Sequence, residues 1–437
     1  MNIATTESFR PNKDLSNTDL SARLAVMLSL KYGASEPFMK VANFANKHNV
    51  PLLKQACAFM VKNTAIRLFF GGVGIDQTQK TAEKLLDKGI GVIVDYSAPE
   101  GTKELNEETL KKVRQEYIDA LGMCKNLAEY KQNDSRVSIA LKVSTMAEFK
   151  DLKELSEVIT SGKTFNQDQQ KIYERIREDM FSVLKKAKEG GVQVYVDAEE
   201  TAVNPVIKSL TKEALQKDLP LNVTIQAYLQ DTKSQVDDWL EFSKQKVRSG
   251  TGEEIEMGKM MGVKLVRGAY MKSDTEDRNK IWETKDGTDN AYNAAFKDLY
   301  LSNQFAYITV ATHNQESLRL AAELTTSHAH AIDTKVDSAT LQGMGGSLDT
   351  GNLATSKYLP YVKKGEVLDS IPYTFRRGVE FTTTKLQDGT TRLDEELKSV
   401  WDEVKHRLGN SVNKGFQALT EAINIFEGMK PGNRGRT

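Results

Sequence analysis

Short apolar runs alternate with longer amphipathic segments along most of the chain, starting near residue 91. The short runs are rich in Val, Ile and Tyr, which predicts strands, whereas the longer segments have helical periodicity and many charges. We predict eight strands, at residues 91–97, 137–144, 192–200, 223–230, 263–270, 305–314, 336–345 and 357–362. The predicted helices include 107–131, 166–190, 201–217, 233–247, 288–301 and 315–326, and a further segment at 366–381 follows the eighth strand.

Eight strands, each followed by a helix, match the count of a closed parallel barrel, although an open doubly wound sheet has the same local pattern. The positions of the polar residues favour the barrel, because barrel enzymes build their sites from the C-terminal ends of several strands. Polar residues lie near the C-terminal end of nearly every run: Asp95, Lys142, Asp197, Gln226, Arg267, His313 and Gln342. An open sheet would concentrate them at one switch point. We therefore predict an α/β fold of the (β/α)8 TIM-barrel type.

The regions on either side of the predicted barrel have a helical pattern. Residues 17–68 are expected to form helices, the first of them ending near Gly33. We predict three regions: an N-terminal helical segment at 1–90 that packs on the barrel, the barrel at 91–382, and a C-terminal helical extension at 383–437. Residues 393–430 are expected to form two helices, and 248–260 a surface loop.

Charge and cysteine content narrow the class of protein. Lys plus Arg and Asp plus Glu number 60 each, so no overall positive field favours nucleic acid or an anionic membrane as a partner, and only a local patch could do so. The two cysteines, Cys57 and Cys124, have no metal-site spacing and fit a reducing compartment. No apolar run is long enough to cross a bilayer, and residues 1–21 lack an apolar signal core and an Arg-rich presequence. We expect a bacterial or a processed protein.

The run VKLVRGAYM, at residues 263–271, carries Lys264 and Arg267 inside an apolar strand. Either both side chains extend to solvent, or an anion meets them, because an unpaired buried charge costs many kcal/mol. Gly268 and Ala269 follow directly and would let a bulky ligand approach the backbone. Asp197, near the end of the run VQVYVDAEE, is a candidate partner for a cation from a neighbouring strand.

Two further motifs each have a structural and a functional interpretation. In VATHN, His313 is a structural or a functional group, and Asn314 is placed to cap a helix that begins near Gln315. No second His or Cys lies nearby, so we predict no metal site. In PYTFRRGVE, Arg376 and Arg377 form either a solvated basic patch or a clamp for a carboxylate.

Common nucleotide-binding and hydrolase signatures are missing from the sequence. GGVG at residues 71–74 lacks the third glycine of a dinucleotide motif, and there is no Walker-type loop or nucleophile elbow.

Taken in order, the motifs resemble those of the proline dehydrogenase family, flavoenzymes that oxidise L-proline. The resemblance covers roughly residues 90–382 and rests on LKVS, DAEE, QAYL, VKLVRGAYM, ATHN, LQGMG, KYLPY and YTFRRGVE. It implies a monofunctional enzyme with a distorted barrel whose last helix lies over the barrel mouth. It also implies FAD at the C-terminal ends of the strands, without a Rossmann domain.

The resemblance also implies roles for individual residues. Asp197 and Lys264 would be catalytic. Contacts with the substrate are implied for Lys142, Tyr270, Tyr358, Tyr373, Arg376 and Arg377. Contacts with FAD are implied for Ala198, Gln226, Lys264, Arg267, Gly268, Ala269, Thr312, His313, Asn314, Gln342 and Glu380. The segment from Tyr358 to Tyr373 is longer than the usual family spacing, so Tyr361 is an alternative to Tyr358 as the residue that lines the substrate ring.

The implied reaction is hydride transfer from proline C5 to flavin N5, giving Δ1-pyrroline-5-carboxylate, with electrons passed on to a membrane quinone. Peripheral membrane contact and a downstream Δ1-pyrroline-5-carboxylate dehydrogenase follow as partners, in the bacterial cytoplasm at the inner membrane or in mitochondria. Three alternatives stay open: a hydroxyproline dehydrogenase, a barrel aldolase with Lys142 or Lys264 as a Schiff-base nucleophile, and a non-catalytic anion-binding protein.

Overall fold

The structure, a computed structural model, describes residues 12–13, 15–48, 50–97, 106–131, 136–248, 252–270, 280–344, 348–383 and 390–408. The chain divides into two compact units. One consists of residues 69–372, and the other of residues 1–68 and 373–437.

Eight parallel strands of the 69–372 unit close into a barrel. The strands along the chain are β1 (Gly72–Val73), β2 (Gly91–Tyr96), β3 (Val137–Leu141), β4 (Gln193–Val196), β5 (Leu221–Gln226), β6 (Lys246–Arg248), β7 (Glu254–Glu256), β8 (Met261–Val266), β9 (Tyr307–Ala311), β10 (Lys335–Leu341) and β11 (Ala354–Val362). The order around the barrel is β2, β3, β4, β5, β8, β9, β10 and β11, and β11 pairs again with β2. The predicted closed barrel of eight parallel strands is confirmed.

Helices follow or precede the barrel strands and also form most of the second unit. They are α1 (Asn17–Lys31), α2 (Ser35–Lys47), α3 (Pro51–Asn63), α4 (Ala65–Phe69), α5 (Ile75–Asp87), α6 (Glu107–Tyr130), α7 (Phe149–Thr160), α8 (Gln167–Gly190), α9 (Asn204–Gln216), α10 (Thr232–Ser243), α11 (Lys285–Leu301), α12 (Gln315–Ser327), α13 (Ile371–Thr383) and α14 (Arg392–Leu408). Local chemistry sets the ends of α8. A capping box of Asn166 and Gln169 begins it, and Gly191 ends it at φ +65°.

The barrel has an inner and an outer layer of side chains, because successive residues of a strand point to opposite faces. The inner layer packs Ile93, Ala140, Tyr195 and Ala339 against Ala311 and Tyr358. The outer layer, formed by the other strand faces and the surrounding helices, is a much larger apolar cluster. The inner apolar layer supports the polar residues that follow it along each strand.

The predicted elements differ from the structure in three places. The sequence pattern gave no separate helices for α5 and α7, and α7 shares the connection between β3 and β4 with α8. The helix predicted at 233–247 ends at Ser243, because residues 246–248 pair as β6 with β7. Residues 248–260, predicted as a loop, therefore include a strand of this antiparallel pair.

In the other unit, a buried ion pair and side chain-to-backbone hydrogen bonds connect α14 with α1 and the residues before it. Arg23 on α1 bonds to Glu396 on α14 at 2.7 Å, and the Arg407 side chain bonds to the backbone carbonyl groups of Leu15 and Lys13. Of the two helices predicted at 393–430, the first is α14, and the second lies outside the described residues. The predicted region boundaries at residues 90 and 382 stay predictions.

Candidate active site

Five polar side chains form one connected network inside the barrel. Lys142 Nζ donates to Asp95 Oδ1 and, over 3.1 Å, to the hydroxyl of Tyr358. That hydroxyl donates to Asp197 Oδ2 at 2.9 Å. Lys264 Nζ donates to the other oxygen, Asp197 Oδ1, at 2.5 Å. The network therefore connects side chains from β2, β8 and β11 and from the ends of β3 and β4. Asp197 Oδ2 also lies 3.7 Å from Nζ of Lys142, which follows the neighbouring strand β3, so the predicted pairing of Asp197 with a cation from a neighbouring strand is confirmed. The shorter bond of Asp197, to Lys264, reaches a strand that is not its neighbour.

The strand period brings these residues together. In three neighbouring strands, an inner apolar residue is followed two positions later by a charged one: Ile93 and Asp95, Ala140 and Lys142, Tyr195 and Asp197. Residues two apart face the same side of a strand, so the three charges lie in one layer above the inner core. Parallel pairing puts this layer at the C-terminal end of the barrel.

Opposite charges stabilise each other in this layer. Burial favours the neutral form of Asp197, but Lys264 and Lys142 more than offset it, so the pKa of Asp197 lies below its ordinary value. Burial also disfavours the charged form of Lys142, yet the negative groups around it, Asp95 first among them, hold the pKa of Lys142 well above its ordinary value. Both side chains are therefore charged at neutral pH.

The two lysines differ in their access to solvent. The side chain of Lys142 is 20% exposed, and its partner Tyr358 is also half-buried. Lys264 is 4% exposed, with its Nζ 5.4 Å from the ring centroid of Tyr195 and 5.3 Å from that of Tyr358. A ligand at the barrel mouth could therefore touch Lys142 directly, whereas Lys264 is almost closed to solvent.

The two candidate tyrosines of β11 lie on opposite faces of the strand. Tyr358 packs in the inner layer and bonds to the charged network. Tyr361 belongs to the outer cluster, where its hydroxyl bonds to Glu116 Oε1 at 3.2 Å and its ring lies 5.6 Å from that of Tyr96. The strand register therefore places Tyr358, and not Tyr361, inside the barrel.

A second polar cluster surrounds Arg267 beyond the end of β8. Its guanidinium bonds to Asp289 Oδ1 through Nε at 3.0 Å and Nη2 at 2.8 Å, and also to the hydroxyls of Thr312 and Ser317. Asn314 caps α12 as predicted, accepting from the backbone N–H groups of residues 316 and 317, and donates to Asp289 Oδ2 at 3.0 Å. This arginine is thus held by protein groups, and its contact with a cofactor phosphate stays a prediction.

A close contact inside the protein explains why residue 268 is glycine. Its φ is +130°, and a Cβ at this position would lie 2.0 Å from the ring of Tyr228. Tyr228 in turn packs with Leu229 and Ile281. The close approach that the sequence suggested for a ligand is made here by an aromatic side chain.

The remaining predicted residues of the barrel unit lie near the same end. His313 Nε2 accepts the backbone N–H of Leu341 at 3.1 Å, so a neutral ring carries its proton on Nδ1. Gln226 is 2% exposed, and its amide donates to the Glu199 carbonyl and accepts from Asn204, both at 3.0 Å. It therefore holds the loop that follows β4. The others are exposed or half-buried: Ala198, Ala269, Tyr270 and Gln342.

Four predicted residues lie on α13, in the unit of residues 1–68 and 373–437. Arg377 forms two bonds with Glu380, each of 3.0 Å, one to each carboxylate oxygen. The guanidinium groups of Arg376 and Arg377 lie 5.9 and 4.9 Å from the ring centroid of Tyr373. The Arg377 fork is thus shaped for a carboxylate and holds one in this structure.

Within the described residues, no group of His, Cys, Asp and Glu side chains has the arrangement of a metal site. None of the described helices has the length and apolar character needed to span a bilayer.

Three residues of these clusters were not among the predicted site residues: Asp95, Asp289 and, on α12, Ser317. The sequence indicates only that Asp95 is a polar residue near a strand end. Its spacing of two residues from Ile93 places both on the same face of the strand and could have predicted that Asp95 points into the barrel. Asp289 lies on α11, 22 residues beyond the Arg267 it binds, and no local pattern pointed to it.

Comparisons with known proteins show the family and the fold. The family model described as proline dehydrogenase matches residues 78–386. The chain is 28% identical over 320 residues to the carbapenem antibiotics biosynthesis protein CarD of Pectobacterium carotovorum subsp. carotovorum, covering 71% of this chain and 77% of that protein. It is 26% identical over 311 residues to the mitochondrial proline dehydrogenase 2 of Arabidopsis thaliana, covering 67% of this chain and 61% of that protein.

Among solved structures, proline utilization A from Bdellovibrio bacteriovorus, inactivated by N-propargylglycine, superimposes with a TM-score of 0.67 and 18% identity. The match covers 90% of this chain and 42% of that chain, and it supports the fold. The chain thus spans less than two thirds of the Arabidopsis protein and less than half of the Bdellovibrio chain.

Proposed function

Because the chain belongs to the proline dehydrogenase family, as the match over residues 78–386 shows, we propose that it oxidises L-proline to Δ1-pyrroline-5-carboxylate with FAD as its cofactor. The observation that carries the proposal is the charged layer of Asp95, Lys142, Asp197, Lys264 and Tyr358. It lies at the C-terminal end of a barrel, where barrel enzymes hold their substrates.

The side chains around this layer are of the right kind to hold FAD. A flavin with its pyrophosphate presents anionic and hydrogen-bonding groups, and the end of β8 offers Lys264 and Arg267. The residues beyond it are partly accessible, including His313, Asn314 and Ala269. When bound, FAD supplies at N5 the acceptor for the hydride that leaves proline C5.

The chain's own residues would bind and orient the amino acid. We assign the proline carboxylate to Arg376 and Arg377, with help from Lys142, and the walls around the ring to Tyr270, Tyr358 and Tyr373. A buried cation such as Lys264 would stabilise negative charge that develops in the transition state, which is the largest single contribution in many enzymes.

The protonation state of the substrate matters as much as its position. Proline loses a hydride from C5 only when its secondary amine is neutral, because the nitrogen lone pair must assist the departure. Cations near the amine disfavour its protonated form and so lower its pKa. Asp197 is proposed to keep these cations in place, which its bonds to Lys264 and Tyr358 support.

An aldolase with Lys142 as its Schiff-base nucleophile is less consistent with the surroundings of this lysine. A Schiff-base lysine needs a lowered pKa to act as a nucleophile, whereas the pKa of Lys142 is held well above its ordinary value. We further propose that electrons pass to a membrane quinone, and that a Δ1-pyrroline-5-carboxylate dehydrogenase takes the product. The proposed location is the inner face of a bacterial membrane, or mitochondria in a eukaryote.

Anaerobic titration tests the proposal. The purified chain is loaded with FAD and mixed with L-proline, D-proline or trans-4-hydroxy-L-proline, and the visible flavin absorbance is followed. We expect bleaching with L-proline only, and bleaching by the hydroxylated analogue would favour the hydroxyproline alternative. Failure to take up FAD, or binding of FAD without bleaching by any of the three, would refute the proposal. Borohydride trapping with carbonyl substrates would then test the aldolase.

A further inference from the structure

Large apolar side chains are unusually exposed on two consecutive helices, α2 and α3. Val41 and Phe44 on α2 are 45% and 55% exposed, and Leu52, Phe59 and Met60 on α3 are 83%, 70% and 53% exposed. Elsewhere in the described part of the chain, such residues are scattered over different elements. Single exposed apolar residues are ordinary, but a concentration of them indicates an interaction surface.

On α2, the exposed apolar residues follow the helical period. Pro37, Val41 and Phe44 are spaced by four and three residues, which puts them on one face. The ring of His48, one turn further, lies 4.5 Å from that of Phe44. Different positions, Ala42 and Ala45, form the buried side. The exposed stripe is therefore separate from the face that packs inside the protein.

The same arrangement occurs on α3, which packs against α2. Leu52, Ala56 and Phe59 have the spacing four and three, and Met60 extends the stripe. The buried side of this helix is formed by Cys57 and Val61. Both helices thus bury one side and leave a second apolar stripe exposed.

The charge of this helix pair indicates which kind of partner the exposed surface would bind, a second copy of the chain or an anionic surface. Residues 35–63 contain Lys40, Lys47, Lys54 and Lys62 but one acidic residue, Glu36, which pairs with Lys40 at 2.9 Å. The whole chain, by contrast, has equal numbers of positive and negative side chains. A second copy meeting this surface through a two-fold axis would oppose lysine to lysine. An anionic surface that also accepts apolar side chains is complementary.

We propose that the α2–α3 pair, Ser35–Asn63, docks on a membrane surface that contains anionic lipids. Phe44, Leu52, Phe59 and Met60 enter the boundary between headgroups and acyl chains, and the lysines contact lipid phosphates, as interfacial amphipathic helices do. This surface rests on the membrane location given under the proposed function and assigns that location to two helices, but it does not depend on the proposed reaction.

Vesicle binding by the full chain tests the docking surface. The probe is vesicles of phosphatidylcholine alone or with phosphatidylglycerol, about two parts to one, measured by co-sedimentation. We expect tighter binding to the anionic vesicles and weaker binding at high salt, because screening shortens the range of the attraction. Phe44→Ser and Phe59→Ser should each weaken binding about tenfold, since each removes an aromatic side chain that would bury roughly half of its apolar surface in the lipid.

Matched variants test whether vesicle binding depends on this surface or on the overall hydrophobicity and charge of the protein. Leu301→Ser and Phe149→Ser remove side chains of similar exposure outside the pair and should leave binding unchanged. Lys54→Gln with Lys62→Gln should weaken binding to anionic vesicles, about fivefold per lysine.

Three results would overturn the docking proposal: equal binding to neutral and anionic vesicles, equal losses in the matched variants, or a change of sedimentation coefficient in Phe44→Ser with vesicle binding intact. The last result would make the stripe an interface between copies. Proline oxidation in solution with a soluble dye as electron acceptor is expected to be the same in all these variants. A failure of the docking proposal is thereby distinguished from a failure of the proposed reaction.

Discussion

Replacing Tyr358 by phenylalanine removes one hydroxyl from the centre of the charged network and leaves the ring in the inner layer. That hydroxyl accepts from Lys142 Nζ at 3.1 Å and donates to Asp197 Oδ2 at 2.9 Å. A hydrogen bond to a charged group contributes about 1.5–3 kcal/mol. Both partners keep another contact, Lys142 with Asp95 and Asp197 with Lys264, so we expect the total loss to be no more than that of one such bond, near the lower end of its range.

A loss of about 2 kcal/mol corresponds to a roughly 30-fold lower kcat/KM for L-proline, since each 1.36 kcal/mol is tenfold. We expect most of it in KM, because Lys142 is proposed to bind the substrate carboxylate. Flavin content should stay at the wild-type level. The assay is steady-state proline oxidation with a soluble dye, over a range of proline concentrations, with flavin content measured in the same preparation.

Tyr361→Phe is the matched control, because it removes a buried hydroxyl from the same strand on its outer face. The Tyr361 hydroxyl bonds to Glu116 Oε1 at 3.2 Å, and Glu116 is not one of the five residues of the charged layer. This variant should lose about 1–2 kcal/mol of unfolding free energy and keep its kcat/KM. An unchanged kcat/KM in Tyr358→Phe, or an equal loss in both variants, would refute the role given to the inner tyrosine.

Three further variants test other parts of the structure. Arg377→Met should strongly raise the KM for proline, because the loss of the charged partner should weaken proline binding by about 2–5 kcal/mol, while FAD stays bound. Arg319→Met, on an exposed helix, should leave the KM unchanged. An unchanged KM in Arg377→Met would remove Arg377 from the substrate site. Gly268→Ala should lower the free energy of unfolding by several kcal/mol, measured by thermal unfolding, because the new Cβ would overlap the ring of Tyr228. Gly89 also has a positive φ but faces open space, so Gly89→Ala should lower it by only about 1–2 kcal/mol. Burial raises the pKa of Asp337 to about 7, above its ordinary 3.8, so its carboxyl lowers stability as pH rises through that interval. Asp337→Asn should thus be more stable than wild type above pH ~7, by roughly 2–4 kcal/mol, and the two should converge near pH ~4 in denaturant unfolding.

The strands and their polar ends were predictable because they follow from a period of two residues and from burial on both faces of a parallel sheet. The missing helices show the limit of that pattern. A (β/α)8 barrel is expected to have one helix after each strand, and α8 alone satisfies this expectation after β3. The sequence of α7, FKDLKELSEVIT, is amphipathic, so its pattern indicates a helix that the one-helix expectation leaves out.

Pairings within the site were less predictable, because they depend on which strands are neighbours and on their register. Asp95 and Lys142 are 47 residues apart and meet only because β2 pairs with β3. The choice between Tyr358 and Tyr361 could not be made from motif spacing. Their odd separation places them on opposite faces, and only the closed barrel shows which face is inside.

The charged layer is difficult to explain as a contribution to stability. Burying an ion pair costs desolvation that its attraction often fails to recover, and apolar residues of similar size would serve the fold equally well. The inner layer directly beneath is apolar, with Ile93, Ala140 and Ala339, so the barrel interior accepts such residues. Lysines and aspartates above it therefore indicate selection for chemistry rather than for packing. The lysines also differ in exposure, since Lys142 is open to a ligand at the barrel mouth and Lys264 is almost closed to solvent. The proposed function accordingly gives them separate tasks, contact with the substrate for Lys142 and stabilisation of developing negative charge for Lys264.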